Sequence, residues 1–434
     1  MNARASCLLV VVATFQVLIP DAGLAQNWLQ LQGNEPASST ETLRIWGFIQ
    51  PTVEHHFGRA VEGAAHPAFN GMQPVFNTVA PRFESRSSFV VRRARLGVRG
   101  VLEKARLNYF VLVELGLNGI TRTHPVALTD ASVTFNYIPG ARIRVGQFKF
   151  PGPEEGLQGI FGFDYIHFTR VNDFLMLERF IDPVVVEGDV ARGALDGGVG
   201  AFRDVGIQVY DWFRSGVLEV AYAVMVGTGN GINRADNNAN GTITARLQMA
   251  RVYGGAGPQR QNLMAWIWRR QGKVTFEDQH YDRVRQGVGI KYFKLPLRFT
   301  AEYIRGAGVI FTGLTPPFAA LNPVAAFQLG TENKSNGWYM EGGWVITSQW
   351  EIDMRLDRFN QLVNAPSEER DFTTWTLGLQ YVFSPKARIT VNYERRDLRL
   401  SHPDAIEDPD HRQNVEAITA AMGNRLGIRV TVIF

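Results

Sequence analysis

The segment "SSFVVRRARLGVRG" at 87–100 places four arginines among short apolar residues that favour extended structure. Ala94, Leu96 and Val98 fall on one parity, and Arg93, Arg95, Gly97 and Arg99 on the other. Successive side chains of a strand point to opposite faces. This strand therefore has one greasy face and one cationic face, with Arg92 breaking the pattern where it begins. A soluble core rejects the charges, and hydrocarbon rejects them more strongly. The segment requires a wall with lipid on one side and water on the other.

The same period of two recurs along the chain. Candidate strands cover 43–57, 88–102, 106–118, 128–138, 141–150, 199–213, 217–228, 242–253, 262–271, 286–295, 297–308, 336–347, 348–359, 372–383, 386–399 and 424–434. Their lengths suit the ~9–11 residues of a tilted membrane-crossing strand. Short connections ("EKA", "PG", "RSG", "LP", "TS", "SPK") alternate with longer ones, the longest at 58–86, 151–198, 309–335 and 400–423. Short turns at one end and long loops at the other are the threading of an outer-membrane barrel, with the turns in the periplasm. The expected fold is all-β, a transmembrane antiparallel β-barrel of about 16 strands. In 372–383, Trp375, Leu377, Leu379, Tyr381 and Phe383 share the greasy parity, and in the last strand Leu426, Ile428, Val430, Val432 and Phe434 do so. Arginine on the lipid side costs roughly 2–4 kcal/mol at the midplane, so the charged face is the lumen. Trp338, Trp350 and Tyr381 suit interfacial girdles.

Residues 1–25 read as a secretory signal, with Arg4, the apolar core "CLLVVVATFQVLI" and "AGLA" before Gln26. A short periplasmic segment, 26–42, then leads into a barrel spanning 43–434. Cys7, the only cysteine, lies in the leader, so the mature chain has no disulfide, thiolate metal site or cysteine nucleophile. Net charge is +4, but 38 arginines stand against 7 lysines. Arginine's fork suits bidentate contact with carboxylate or phosphate, and a GC-rich genome accounts for the ratio equally well.

The motifs "RRARLGVRG" (92–100), "IRVGQFKFP" (143–151), "NDFLMLERF" (172–180) and "VGTGNG" (226–231) resemble the phosphate-selective porin O and P family, with gaps, from about residue 43 to the end. The resemblance implies sixteen-stranded homotrimeric channels with an inward third loop and arginines conducting phosphate or polyphosphate. It also implies that Phe434 is the signal read by the barrel-assembly machinery. Apolar outer faces on strands one to five fit a trimer seam. Lysine is sparse, so family features that rest on a lysine cluster are not carried over beyond Lys149.

Candidate pore-lining residues are Arg93, Arg95 and Arg99, joined by Arg142 and Arg144. Rings of arginine or lysine serve anion and phosphate pores, and each guanidinium offers two parallel donors to a phosphate. The alternative is pairing with inward carboxylates such as Glu114, Glu351, Asp353 and Glu394, which would only brace the wall. Strict alternation sets Lys149 and Gln147 opposite Arg142 and Arg144, and a bulge at Gly146 would bring both pairs to water. Segment 151–198 is expected to enter the lumen as a partly helical constriction, adding Arg170 and Arg179; an external lid or trimer contact is the other reading.

The expected partners are inorganic phosphate or other small anions and outer-membrane lipid, with no cofactor, metal or nucleic acid. Location is the outer membrane of a Gram-negative bacterium. "GTGNG" lacks the helix and later acid of a dinucleotide loop and reads as a strand exit. "HPDAIEDPDH" (402–411) matches no calcium template and reads as a solvated loop rather than a divalent-ion site. His55 and His56 point opposite ways and cannot readily share a metal. Three functions compete: an anion channel, a general weakly selective channel whose arginines are neutralised by lumen carboxylates, and a barrel-borne hydrolase, for which no serine–histidine set is apparent in the sequence.

Overall fold

The computed structural model describes residues 35, 39–71, 87–104, 106–118, 120–121, 125–177, 179–187, 190–236, 238–255, 260–276, 279–311 and 327–434, with side chains omitted at 68, 179–199, 276, 311 and 327–330. The expected leader, 1–25, lies outside the described residues.

Eighteen strands are described. They are β1 (Arg44–His56), β2 (Ser87–Leu102), β3 (Leu107–Glu114), β4 (Ala127–Phe135), β5 (Arg142–Lys149), β6 (Arg179–Glu187), β7 (Val190–Val199), β8 (Arg203–Ser215) and β9 (Leu218–Gly227). The second half contributes β10 (Thr242–Gly254), β11 (Gln261–Phe276), β12 (Gln279–Lys294), β13 (Leu297–Phe311), β14 (Phe327–Val345), β15 (Trp350–Gln361), β16 (Arg370–Ser384), β17 (Ala387–Leu400) and β18 (Arg425–Ile433). Three short helices accompany them: α1 (Glu154–Leu157), α2 (Arg170–Leu175) and α3 (Pro409–Ala420). Neighbours pair antiparallel, β5 pairs directly with β8, and β18 returns to β1. Sixteen strands thus close a barrel, and the hairpin β6–β7 stands outside its ring. Each of the sixteen expected strands overlaps one of these.

Three differences lie at the long-loop end. The connection expected between 271 and 286 is instead a continuous ladder in which Phe276 meets Gln279. β14 begins at Phe327, well before the expected 336. Segment 151–198, expected as loop, includes β6–β7, whose β7 adds to the outer end of β14 through Phe327–Gly193 to Gly330–Val190. "VVVEGDVARGAL" supplies the β-branched run that favours such strands. Strands above a membrane have no reason to alternate greasy and polar, which is why their extent is invisible to a period-two reading.

The alternation holds through the wall. Leu96, Val111, Val133, Val145, Ile267, Val288, Ile352 and Leu377 are exposed on the outside, whereas Arg93, Arg95, Glu114, Arg144 and Arg355 are buried inside. Trp350 and Tyr381 lie 4.7 Å apart at the turn end, and Tyr381 meets Phe383 edge-on, forming the expected aromatic girdle. Arg92 and Arg93 are both buried, because the β1–β2 register shifts at Gln50/Pro51. The bulge turns the extra arginine inward.

The 402–411 stretch is more ordered than a solvated loop. Asp408 caps α3 by accepting from the Asp410 and His411 amides at 2.9 and 3.4 Å. Ile418 and Ala421 then pack with Val61, Ala64 and Phe69 of the first long loop. Among the described residues, no three histidine, cysteine or acidic side chains are grouped to hold a metal.

The chain end closes the ring. The Phe434 amide and carbonyl both bond to Gly47 at 2.9 Å, and the Phe434 ring covers Gly47, where an added Cβ would stand 2.6 Å from Cζ and from the Arg95 carbonyl oxygen. Gly47→Val should therefore weaken closure, lowering the temperature at which the barrel loses its compact, heat-modifiable mobility in SDS gels; an unchanged transition temperature would show that this contact does not matter.

Candidate functional site

The third long loop leaves β5 and crosses the bore. Its aromatic stretch, Ile160, Phe161, Phe163 and Tyr165, clusters with Phe48 of β1 and Trp46 beside it. Further on, Val171, Phe174 and Leu175 of α2 bury against Tyr339, Phe359, Phe372 and Leu398 on the opposite wall. Phe174 stacks on Phe359 with centroids 5.4 Å apart. Apolar side chains facing a lumen would normally be a liability; here they meet each other across it, as the sequence's "FDYIHFTRVNDFL" now explains.

A buried loop must also satisfy its backbone, and arginines of the barrel do most of this. Arg246 of β10 donates to the Gly152 carbonyl and to Glu154, both at 2.8 Å. Arg429 of β18 donates to the Tyr165 carbonyl at 2.8 Å, and Arg388 of β17 to the Phe163 carbonyl at 2.7 Å. Arg355 of β15 reaches the His167 carbonyl at 3.0 Å, and Arg285 of β12 the Leu175 carbonyl at 3.1 Å. Carboxylates and amides serve the N–H groups. Asp357 accepts from the Arg170 amide at 3.0 Å and Asn392 from the Ile166 amide at 2.7 Å. Glu302 gathers the Trp266, Trp268 and Tyr339 donors at 2.8 Å, and the Glu154 amide at 3.1 Å.

Loop groups are tuned accordingly. Burial alone would raise the Glu154 carboxyl, but Lys291 and Arg246 hold it below its ordinary value. Burial, with Arg425 and Arg92 alongside, pushes the His167 imidazole well down, so it is neutral. Its Nδ1 lies 3.1 Å from the Arg92 guanidinium and its Nε2 2.7 Å from Glu54.

The expected pore arginines divide. Arg93 donates to Gln50 Oε1 at 3.2 Å and has no carboxylate partner among the described residues. Arg95 pairs with Glu114 at 2.7 Å. Arg99 sits at the turn end of the bore and pairs with Glu35. Arg142 pairs with Asp211 at 3.2 Å and lies 4.2 Å over Trp212. Arg144 is buried on Thr134 Oγ1 and Tyr210 Oη at 3.1 and 2.7 Å. Lys149 donates to the Gln158 carbonyl at 2.8 Å, again with no carboxylate partner among the described residues. Arg170 is buried in α2, 3.4 Å from Asp173, and does not line the open space described next. Arg179 begins β6 opposite Val199; its side chain lies outside the described residues.

The expected bulge at Gly146 is not there. The ladder runs through Gly146 on both sides without a shift. Gly146 instead adopts φ +127°, a conformation only glycine takes readily. Beyond it Gln147 and Phe148 are both buried, and Lys149 reaches the loop.

Between the crossing loop and the β2–β5–β8 wall lies an open gap lined by Arg93, Arg95, Lys149 and Arg203, with Glu155 the one carboxylate among its described lining residues. Arg203 also lines a second cavity, with Arg270, Arg283 and Arg285 beside Gly229 and Gly231. Arg203 and Arg270 are tied to Asp130 and Asp204, each at 2.8 Å. The Gly229 amide bonds to Asp204 at 3.0 Å, so "GTGNG" is a strand exit, as expected. One serine–histidine pair does face outward, with Ser87 Oγ 2.7 Å from His55 Nδ1. No orienting carboxylate joins His55 among the described residues, its ring instead lying edge-on to Phe57.

A closed sixteen-strand barrel with an inward third loop is the architecture of outer-membrane porins. Salmonella typhi OmpF in complex with daunomycin is similar over 92% of this chain and 99% of its own, at 11% identity and a TM-score of 0.57. The anion-selective porin from Comamonas acidovorans is similar over 91% of this chain and 100% of its own, at 13% identity and a TM-score of 0.53. The family model "Phosphate-selective porin O and P" matches residues 208–422 of this chain. No curated protein sequence matches it significantly. The protein is thus an outer-membrane porin of a Gram-negative bacterium.

Removing loop anchors should widen the bore. A charged hydrogen bond contributes about 1.5–3 kcal/mol, so Arg246→Met combined with Arg429→Met should raise single-channel conductance and open-channel noise while heat-modifiable mobility persists. Unaltered conductance would show that the loop does not set the aperture.

Proposed function

We propose that this porin passes small anions by passive diffusion, with inorganic phosphate or longer phosphate chains the favoured cargo. One observation carries the reading: among the described residues, the space left between loop and wall is lined by four cationic side chains and one carboxylate, and Arg93 and Lys149 have no acidic partner. Arg203 lines both this space and the second cavity, and moderate sites in series let an anion enter readily and still leave. Guanidinium pairs suit phosphate oxygens. The family and the anion-selective neighbour agree with this cargo.

A weakly selective pore is the competing reading. It is favoured by the Arg95–Glu114, Arg99–Glu35, Arg142–Asp211 and Arg203–Asp130 pairs, which neutralise three of the candidates and Arg203. The balance rests on Arg93 and Lys149. We take the working unit to be a homotrimer joined through β1–β5, where Phe89, Val91, Leu115, Val126 and Leu128 continue the apolar outer face to the loop end. Export through the 1–25 leader and recognition of Phe434 by the assembly machinery complete the reading.

Reversal potentials under a KCl gradient in planar bilayers test the sign, and phosphate block of chloride current tests the cargo. A charge within 4 Å of the ion contributes about 1 kcal/mol even in bulk water, so Arg93→Gln or Lys149→Gln should each cut the anion-to-cation permeability ratio about fivefold. A cation-selective wild type overturns the anion reading, and chloride current indifferent to millimolar phosphate overturns the phosphate cargo.

A further inference from the structure

The outer wall of β11–β17 ends its apolar stripe in a regular way. On β11 the outward residues Leu263 and Ile267 are followed by Arg269; on β13 Phe299 and Tyr303 by Arg305; on β15 Ile352 and Met354 by Arg358; on β17 Tyr393 by Arg395. The intervening strands place Gln286, Asn336 and Thr373 at this boundary. The ladder aligns them: Arg269 faces Gln286, Gln286 faces Arg305, and Arg305 faces Asn336. The row then steps one residue pair towards the membrane, with Arg358 opposite Trp338 and Thr373, and steps again to Arg395 opposite Trp375. An arginine therefore recurs on every second strand, roughly 9–10 Å apart at the ~4.8 Å strand spacing.

All four side chains are exposed. Arg358 pairs with Asp371. Arg269 meets only glutamines, donating to Gln286 at 2.9 Å and to Gln271, and the Arg305 and Arg395 side chains make no hydrogen bond or ion pair among the described residues. These charges point away from the bore, so they do not serve conduction. They lie at the long-loop end, which faces the cell exterior. Among the described residues the opposite sector has no such row: Phe89, Val91, Leu115, Val126, Val226 and Ile243 remain apolar to that end.

We propose that this arginine row binds the phosphate groups of a glycolipid in the outer leaflet, so that β11–β17 is the lipid-facing sector and is clasped by phosphorylated headgroups at its upper edge. Guanidiniums just above an apolar, aromatic-edged stripe can take acyl chains below and phosphates beside them, with forked donors matched to phosphate oxygens. Neutral Gln286, Asn336 and Thr373 between them offer hydrogen bonds to sugar hydroxyls, and the nearby carboxylates Asp371 and Asp397 are paired with Arg358 and Arg399.

The test is native mass spectrometry of the purified full-length porin with bis-phosphorylated lipid A, and with the same lipid dephosphorylated. The wild type should retain the phosphorylated lipid in preference. Arg269→Gln/Arg305→Gln/Arg395→Gln should need at least tenfold more lipid A for half-occupancy, while a control at the turn end, Arg251→Gln/Lys294→Gln, binds as the wild type does. Reversal potential and conductance of the triple variant should be unchanged, which shows both that it folds and that the lumen is not the lipid site. Equal retention of the dephosphorylated lipid, or undiminished lipid A binding by the triple variant, overturns the proposal.

Discussion

Guanidinium groups cannot sit in hydrocarbon at tolerable cost, and everything else in this structure follows from where they go instead. Strand alternation sends them to the bore. Once there, they face a second requirement: a crowded lumen must still solvate its backbone and balance its charges. The crossing loop answers both. Arg246, Arg285, Arg355, Arg388 and Arg429 donate to its carbonyls, so residues that would otherwise be repelling cations become the framework on which the constriction hangs.

The bore is consequently asymmetric. On the β10–β18 side arginines are engaged with loop carbonyls and with Glu154, Asp164, Glu351, Asp353 and Glu394. On the β2–β5–β8 side the loop stands away from the wall, and the cations lining the gap include two without acidic partners among the described residues. Arginine abundance by itself therefore says little about selectivity. Position relative to the loop decides whether a given guanidinium is mortar or lining.

The sixteen barrel strands were legible because each must satisfy lipid outside and water inside, and that demand writes itself into parity. The β6–β7 hairpin and the outer ends of β11–β14 were not, since strand residues beyond the hydrocarbon need not alternate greasy and polar. Among the site residues, Arg93, Arg95 and Lys149 were legible and converge on one cavity. Arg203 was missed because Ala201 and Phe202 adopt φ of 52° and 60°, a left-handed turn that breaks the alternation just before β8. Arg92 announced itself as an exception in the sequence, yet only the register shift at Pro51 shows that it turns inward. Parity tells which way a side chain points, never whom it meets; hence Arg99, Arg142 and Arg170, chosen for the pore, are occupied by Glu35, Asp211 and Asp173.

The third loop leaves β5 and returns through β7, which is stitched to the tip of β14, while its middle is bonded to β1, β10, β12, β15, β17 and β18. A hydrogen-bonded cylinder resists stretching around its circumference but flattens easily, because flattening breaks no ladder bond. A strut tied to many points on the rim removes that freedom. The cross-section is then held by an internal brace, and solute passage meets a fixed sieve rather than a door that opens.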